Sequence, residues 1–378
     1  MDKISFGNCL SQGFSKIEWL KDKDQINDFE EFFKNFSVEN SKKFIDGYFE
    51  KREKGSVLKE VLVDDSIVSK GIHSVAVFLL GMYCYQELGI EEALLKKIGC
   101  NNSAAKSKGC NFEYFWFLTA LYHDLSTEIE KKLSIQNLKS DEKILKVISD
   151  NTCIEIEHNV LNDKRLKKNE NLIYTYETSL IKNYFNYRLQ KDKKIDHGIA
   201  AGILAYSKLC ENLEKKLNGK YDVKVGDMTF SKNDYIAYGI VADAIMAHNM
   251  WFAYGETDIE QYRENELGYL VYEEKFSGKD DHRLSPTNNP LAFYLGLIDT
   301  IEPFKYFDCK CMNKKCIADN IKFEVSDKRI IISTTNNINT EKWYIEKIKE
   351  MQYWMKVSCK YENNKIIINT EPKGSSVN

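Results

Sequence analysis

The chain has 378 residues, of which 43% are hydrophobic and 29% charged, enough for one large domain or two ordinary ones with cores that need no cross-links. Its net charge of −3 supplies no field that would draw in nucleic acid or an anionic membrane surface. The longest apolar run, VAVFLLGMYCY at 75–85, is too short to cross a bilayer, so no membrane partner is expected.

Residues 1–40 are a polar and aromatic lead-in with helical character around DFEEFFKNF. The opening MDKISFGNCLSQGFSK lacks the basic-then-apolar pattern of an export signal, and the ten cysteines are scattered. Both features point to a cytoplasmic chain with reduced thiols. From 41 to 308 nearly every segment has helical spacing. SVLKEVLVDDSIVSKGIHSVAVFLLGMYCYQEL predicts one or two helices, and NFEYFWFLTALYHD predicts one that is apolar on all sides. Residues 126–170 are polar, and NDKRLKKNEN (162–171) reads as a surface connection. Helical spacing resumes in YETSLIKNYFNYRL, in DHGIAAGILAYSKLCENLEKKL and in KNDYIAYGIVADAIMAHNMWF. After SPTNNP, Pro290 suits the first turn of the helix LAFYLGLIDTIEPF.

Beyond residue 308 the composition changes. IKFEVSDKRIIIST and MKVSCKYENNKIIINTE are pairs of short β-branched runs around turns. Between them NTEKWYIEKIKEMQYW is an amphipathic helix opening on Asn/Thr. Residues 318–372 therefore predict a small strand–strand–helix–strand–strand unit. Its aromatic residues Trp343, Tyr344, Tyr353 and Trp354 serve to pack that unit or to dock it. The fold class is mainly α, a helical bundle at 41–308 with a small α+β C-terminal unit.

The chain has only six histidines. Four lie inside or at the end of an apolar helix: His73 in KGIHSVAVFLL, His123 in TALYHDLS, His197 in KIDHGIAAGIL and His248 in AIMAHNMWF. Asp124 follows His123 directly, and Asp299 stands alone in YLGLIDTIEP. One histidine on an apolar helix is ordinarily a satisfied core residue. An acid in such a helix is harder to accommodate, because a buried ionised carboxylate costs several kcal/mol unless it is paired or binds metal. If the four histidines and two aspartates converge, cations would compensate the carboxylates and hold the imidazoles neutral as ligands.

The ordered set resembles the HD superfamily of metal-dependent phosphohydrolases, over roughly residues 60–308. That family carries a first His, an adjacent His-Asp pair, further His residues and a late Asp on successive helices. The resemblance implies that His73, His123, Asp124 and Asp299 hold one divalent metal. His197 and His248 would hold a second, with Asp124 bridging, as in the family's dinuclear phosphodiesterases. The donors suit Fe, Mn, Zn, Co or Ni. The implied activity is hydrolysis of a phosphate ester by a metal-activated hydroxide, with Asp124, His197 and His248 central to the chemistry. A phosphodiester in a nucleotide-like small molecule is the expected substrate. A mononuclear-type nucleotide phosphatase and a catalytically silent metal-containing binding or regulatory protein are the alternatives. Nucleic acid is not favoured, since no extended basic face is evident.

Two departures matter. Many family members follow the doublet with Gly-Lys, whose Lys approaches the phosphate, whereas here Leu125, Ser126 and Thr127 follow. Lys70, Lys193 and Lys194 are candidates for that contact, with a solvated surface role the simpler reading of each. The Gly-Tyr-Pro triplet of cyclic-dinucleotide-cleaving members is also missing.

Other residues have two readings. Asp196 is an N-cap or an orienter of His197. Gly198, Ala200, Ala201 and Gly202 leave room for substrate or let helices pack closely. Glu302 is a support for Asp299 or a surface acid. His158 and His282 lie in polar stretches and are expected to be exposed. Cys309, Cys311 and Cys316 lack standard zinc spacing and are expected to be free thiols.

Overall fold

The computed structural model describes residues 3–17, 71–97, 112–130, 141–152, 154–225, 228–273, 281–306, 314–334 and 341–371. The DFEEFFKNF segment, Lys70, Cys309 and Cys311 lie outside them. The described residues are mainly helical, with strands β1 (Ile4–Ser5), β2 (Asp222–Val225), β3 (Met228–Ser231), β4 (Ile321–Ser326), β5 (Arg329–Thr334), β6 (Ser358–Glu362) and β7 (Lys365–Asn369). No helix among them is long and apolar enough to cross a membrane. The chain divides into two compact units, one of residues 1–48, 68–93 and 283–378, the other of residues 49–67 and 94–282.

In the first unit, period-two alternation builds an antiparallel sheet in the order β1-β4-β5-β7-β6. Ile321, Phe323 and Val325 of β4, Ile330 and Ile332 of β5, and Ile366 and Ile368 of β7 are buried. They fall on one face because Phe323 pairs with Ile332 and Ile332 with Ile366. Both hairpins turn on two residues of positive φ, Asp327 and Lys328 at 46° and 60°, Asn363 and Asn364 at 53° and 58°. That is the backbone sense that matches strand twist. The expected strand–strand–helix–strand–strand order is present, with helix Glu341–Glu350 between β5 and β6. β1, from the far end of the chain, adds a fifth strand beside β4.

Helices complete this unit. Phe6, at the start of helix Phe6–Ser15, packs on Phe323 and Phe304 with ring centroids 5.7 and 5.1 Å apart. Helix Gly71–Cys84 crosses it so closely that a Cβ on Gly13 would lie 2.0 Å from the Leu79 carbonyl oxygen. Pro290 opens helix Pro290–Ile301 as expected. Tyr344 donates to the Ile301 carbonyl at 2.6 Å, and the Trp354 ring fills the space over Gly296. Tyr344 and Trp354 thus dock helix Pro290–Ile301 onto the sheet side of the unit, whereas Trp343 is exposed.

Among its described residues the second unit is mainly helical, with one hairpin, β2–β3, that the sequence did not predict. Helix Phe112–Tyr122 is buried on every side, Glu113 of its first turn included, as the apolar run 115–122 predicts. Helices Thr178–Asp192, His197–Leu217 and Asp234–Ala247 are the other long elements. The expected surface connection at 162–171 instead holds two short helices, Lys164–Lys167 and Glu170–Ile173. Asp163 caps the first by accepting from the Arg165 amide at 2.8 Å. Leu166 and Ile173 are fully buried and pin the segment down.

Candidate metal centre

In the second unit His123 extends the buried helix by one residue, its amide bonding the Thr119 carbonyl at 3.1 Å. The ring is fully buried, and its Nδ1 donates to the Ala120 carbonyl at 2.8 Å. Nε2 therefore carries the lone pair. His248 caps helix Asp234–Ala247 and does the same, Nδ1 donating to the Ile245 carbonyl at 2.5 Å. Each ring uses a helix-end carbonyl that lacks a partner within its helix. The two rings are 5.3 Å apart, and His197 lies 5.4 Å from His248.

Asp124 sits among them. Its Oδ1 is 3.5 Å from His197 Nε2 and its Oδ2 is 3.8 Å from His123 Nε2. These separations are too long for strong hydrogen bonds. They match the spacing of neighbouring ligands in one tetrahedral shell, since two donors about 2.1 Å from a metal lie roughly 3.4 Å apart. One ligand atom each from Asp124, His197 and His248 falls within 4.8 Å of the others. This buried His/Asp group could hold a metal ion.

The helices reach this arrangement through small residues. A Cβ on Gly202 would lie 2.4 Å from Met246 Cγ and 2.6 Å from the Ala242 carbonyl. One on Gly198 would lie 2.9 Å from Asn249 Cβ and 3.1 Å from His248 Cε1. Of the two readings of this slim turn, close packing is the one observed. It brings the start of helix His197–Leu217 against the end of Asp234–Ala247, and so His197 beside His248.

Asp196 is fully buried and does two jobs. Oδ1 caps the helix by accepting from the Ile199 amide at 2.9 Å, and Oδ2 accepts from Asn249 Nδ2 at 2.8 Å. Asn249 Oδ1 accepts from the Trp251 indole at 3.0 Å. Burial raises the Asp196 carboxyl above its ordinary range, against the pull of His197 and Arg188. Ser126, two residues after Asp124, donates to the His197 carbonyl at 2.6 Å and ties the doublet's turn to that helix.

His197 Nδ1 is faced by Glu130 Oε1 at 3.5 Å and by Asn249 Nδ2 at 3.4 Å. A ring ligating through Nε2 carries its proton on Nδ1, which selects Glu130 as partner. Arg188 donates to Glu130 Oε1 at 3.1 Å and pairs with Asp192 at 3.1 Å. Burial alone would lower the His197 pKa, but Glu130, Asp124 and Asp196 together carry it upward.

In the first unit His73 lies between two acids. Its Nε2 is 2.9 Å from Asp299 Oδ1 and its Nδ1 is 2.7 Å from Glu302 Oε2. Burial opposes the charge on His73, and the bonds to Asp299 and Glu302 outweigh it and raise the pKa to about 9. Glu302 is fully buried, not a surface acid. It also accepts from the backbone amides of Phe304 at 2.7 Å and Lys305 at 3.2 Å. Lys305 Nζ lies 2.7 Å from Asp299 Oδ2.

Comparison with family models, with curated proteins and with solved structures gives no match.

Each unit thus gathers part of the predicted set by itself: His123, Asp124, His197 and His248 in the second, His73 and Asp299 in the first. Glu130, Arg188, Asn249 and Lys305 are additions. Asn249 had a usable signal, since it directly follows a candidate ligand. Glu130 had none, lying in a polar stretch far from His197 in sequence, and Arg188, though close to His197 in sequence, lies in a mixed stretch that gives it no mark. The two remaining histidines are not exposed as expected. His158 Nδ1 accepts from Arg165 at 3.2 Å, and His282 stacks on Tyr269 with centroids 3.6 Å apart. Cys316 is in no disulfide, as expected, and its Sγ accepts from Asn320 Nδ2 at 3.2 Å.

Proposed function

We propose that the protein is a metal-dependent phosphohydrolase acting on a phosphodiester in a nucleotide-like small molecule. The observation that carries this reading is the placement of Asp124, with one carboxylate oxygen toward His197 and the other toward His123. A carboxylate serving two imidazoles through different oxygens suits a bridge between two ions. The sequence order His73, His123–Asp124, His197, His248, Asp299 supplies the rest. Divalent ions held by such donors activate water near neutral pH and neutralise charge developing on phosphate oxygens. The chain's part is to fix the ligands. The helix-end carbonyls at Ala120 and Ile245 orient two rings, and Glu130 backs a third.

The test is metal content by mass spectrometry on untagged protein prepared without chelators, followed by a hydrolysis screen with saturating manganese. Two metals per chain are expected, with turnover of a chromogenic phosphodiester that is lost in Asp124→Asn and His197→Ala. Single-stranded RNA and DNA should not be cleaved. One metal per chain would favour the mononuclear phosphatase. Metal without turnover would make this a binding protein, and no metal after soaking in manganese or iron would overturn the reading.

A further inference from the structure

In many members of the family this chain resembles, a Lys after the His-Asp doublet approaches the substrate's phosphate beside the metal ions, and the doublet here lacks that Gly-Lys. Of the lysines singled out in the sequence, Lys193 is exposed and held in left-handed backbone at φ 55°, and Lys194 faces Glu130, whose carboxyl pKa burial would raise but His197, Arg188 and, least, Lys194 lower.

Lys305 is placed differently. Its Nζ is 2.7 Å from Asp299 Oδ2, while Asp299 Oδ1 is taken by His73 Nε2 at 2.9 Å. Its backbone is fixed too. Glu302 Oε2 accepts from His73 Nδ1 at 2.7 Å and from the Lys305 amide at 3.2 Å. One buried carboxylate therefore positions both a candidate ligand ring and the turn that carries the ammonium. Lys305 is the most exposed of the three. The Lys305 side chain is 40% exposed, Asp299 10% and His73 13%. The ammonium thus lies on the solvent side of the carboxylate, where an anion would arrive. Lysine suits that task, being a compact point charge on a flexible stem that can swing from a carboxylate oxygen to a phosphate oxygen a few ångströms away.

We propose that Lys305 is the residue that binds the substrate's phosphate. The proposal rests on the metal-dependent reading above, and the experiment separates the two. Inorganic phosphate is titrated by calorimetry into wild type, Lys305→Met and Lys305→Arg, each with and without manganese, and manganese affinity is measured in parallel. Thermal melting checks that each variant is folded. The expected result is manganese affinity in Lys305→Met equal to or above wild type, with phosphate affinity at least tenfold weaker. Lys305→Arg should stay within about threefold of wild type, because it keeps the charge. Equal phosphate affinity in wild type and Lys305→Met overturns the proposal and leaves Lys305 as charge compensation for Asp299. So does a wild-type chain that binds no phosphate in either state. A wild-type chain that binds no manganese sinks the metal reading instead. The metal-free titration then decides Lys305 alone, upheld by a tenfold loss in Lys305→Met and overturned by equal affinities.

Discussion

His123 and His248 hold their imidazoles in the same way, each donating Nδ1 to the carbonyl three residues earlier, Ala120 at 2.8 Å and Ile245 at 2.5 Å. The bond does two things at once. It satisfies a helix-end carbonyl, and it commits each ring to the tautomer whose Nε2 is basic. His197 begins a helix instead of ending one and has no such carbonyl, so a side chain, Glu130, stands behind it.

This shared device separates stability from ligation. In His248→Asn the side-chain amide can still donate to the Ile245 carbonyl, but the basic nitrogen is gone. The metal-free variant should unfold within about 1 kcal/mol of wild type. Its manganese affinity should fall at least a hundredfold in a dye-competition titration. His248→Ala should lose both.

Helix contact at Gly202 sets the distance between His197 and His248. In Gly202→Val the added atoms meet Met246 and the Ala242 carbonyl, where even a Cβ would lie 2.6 Å from the oxygen. Urea denaturation should show a loss of about 1–3 kcal/mol, the usual cost of overpacking. Metal content should drop with it, since the helices can relieve the clash only by moving apart.

Asp196 both caps a helix and accepts from Asn249. Asp196→Ala removes both roles and should cost about 1–2 kcal/mol for the cap alone. Asp196→Ser should recover the cap but leave the Asn249 amide without its carboxylate. Manganese affinity should therefore be about tenfold weaker in both variants, while chemical denaturation distinguishes them.

Ion binding should also be visible as stability. Stripping with a chelator should lower the melting temperature, and manganese at a hundredfold excess over its Kd should restore about 2.7 kcal/mol. An equal melting temperature in both states would count against a resident ion.

Asp243 gives a pH dependence of its own. Burial raises its carboxyl from 3.8 to about 6, despite hydrogen bonds from Thr175. The folded chain then holds a proton that the unfolded chain releases, so stability is greatest below pH 3.8 and falls as pH rises toward 6. The loss from this one group is about 3 kcal/mol. Asp243→Asn should flatten that part of the stability profile, measured by urea denaturation from pH 4 to 7.

Much of the fold was legible because it follows periodicity. The apolar run 115–122 predicted a helix buried all round, pairs of β-branched runs around turns predicted the hairpins, and Pro290 marked a helix start. Such patterns are local, and each residue's face follows from its own neighbours in sequence. The short helices at 164–173 were missed because their polar composition hides two anchors, Leu166 and Ile173, whose burial depends on distant packing. β1 was missed because two residues form a strand only when β4 is beside them.

For the site, the sequence by itself determined which residues are chemically out of place: histidines and acids at the ends of helices too apolar to leave them unpaired. Burial of a charge has a large cost, so such exceptions stand out without coordinates. Tertiary structure alone decided how they are held. It placed one oxygen of Asp124 toward each of two rings, set Glu130 behind His197, and gave Glu302 both His73 and the Lys305 amide. Those relations join residues up to 229 positions apart. Hydrogen bonds act over about 3 Å of space whatever the separation along the chain, so no local pattern encodes them.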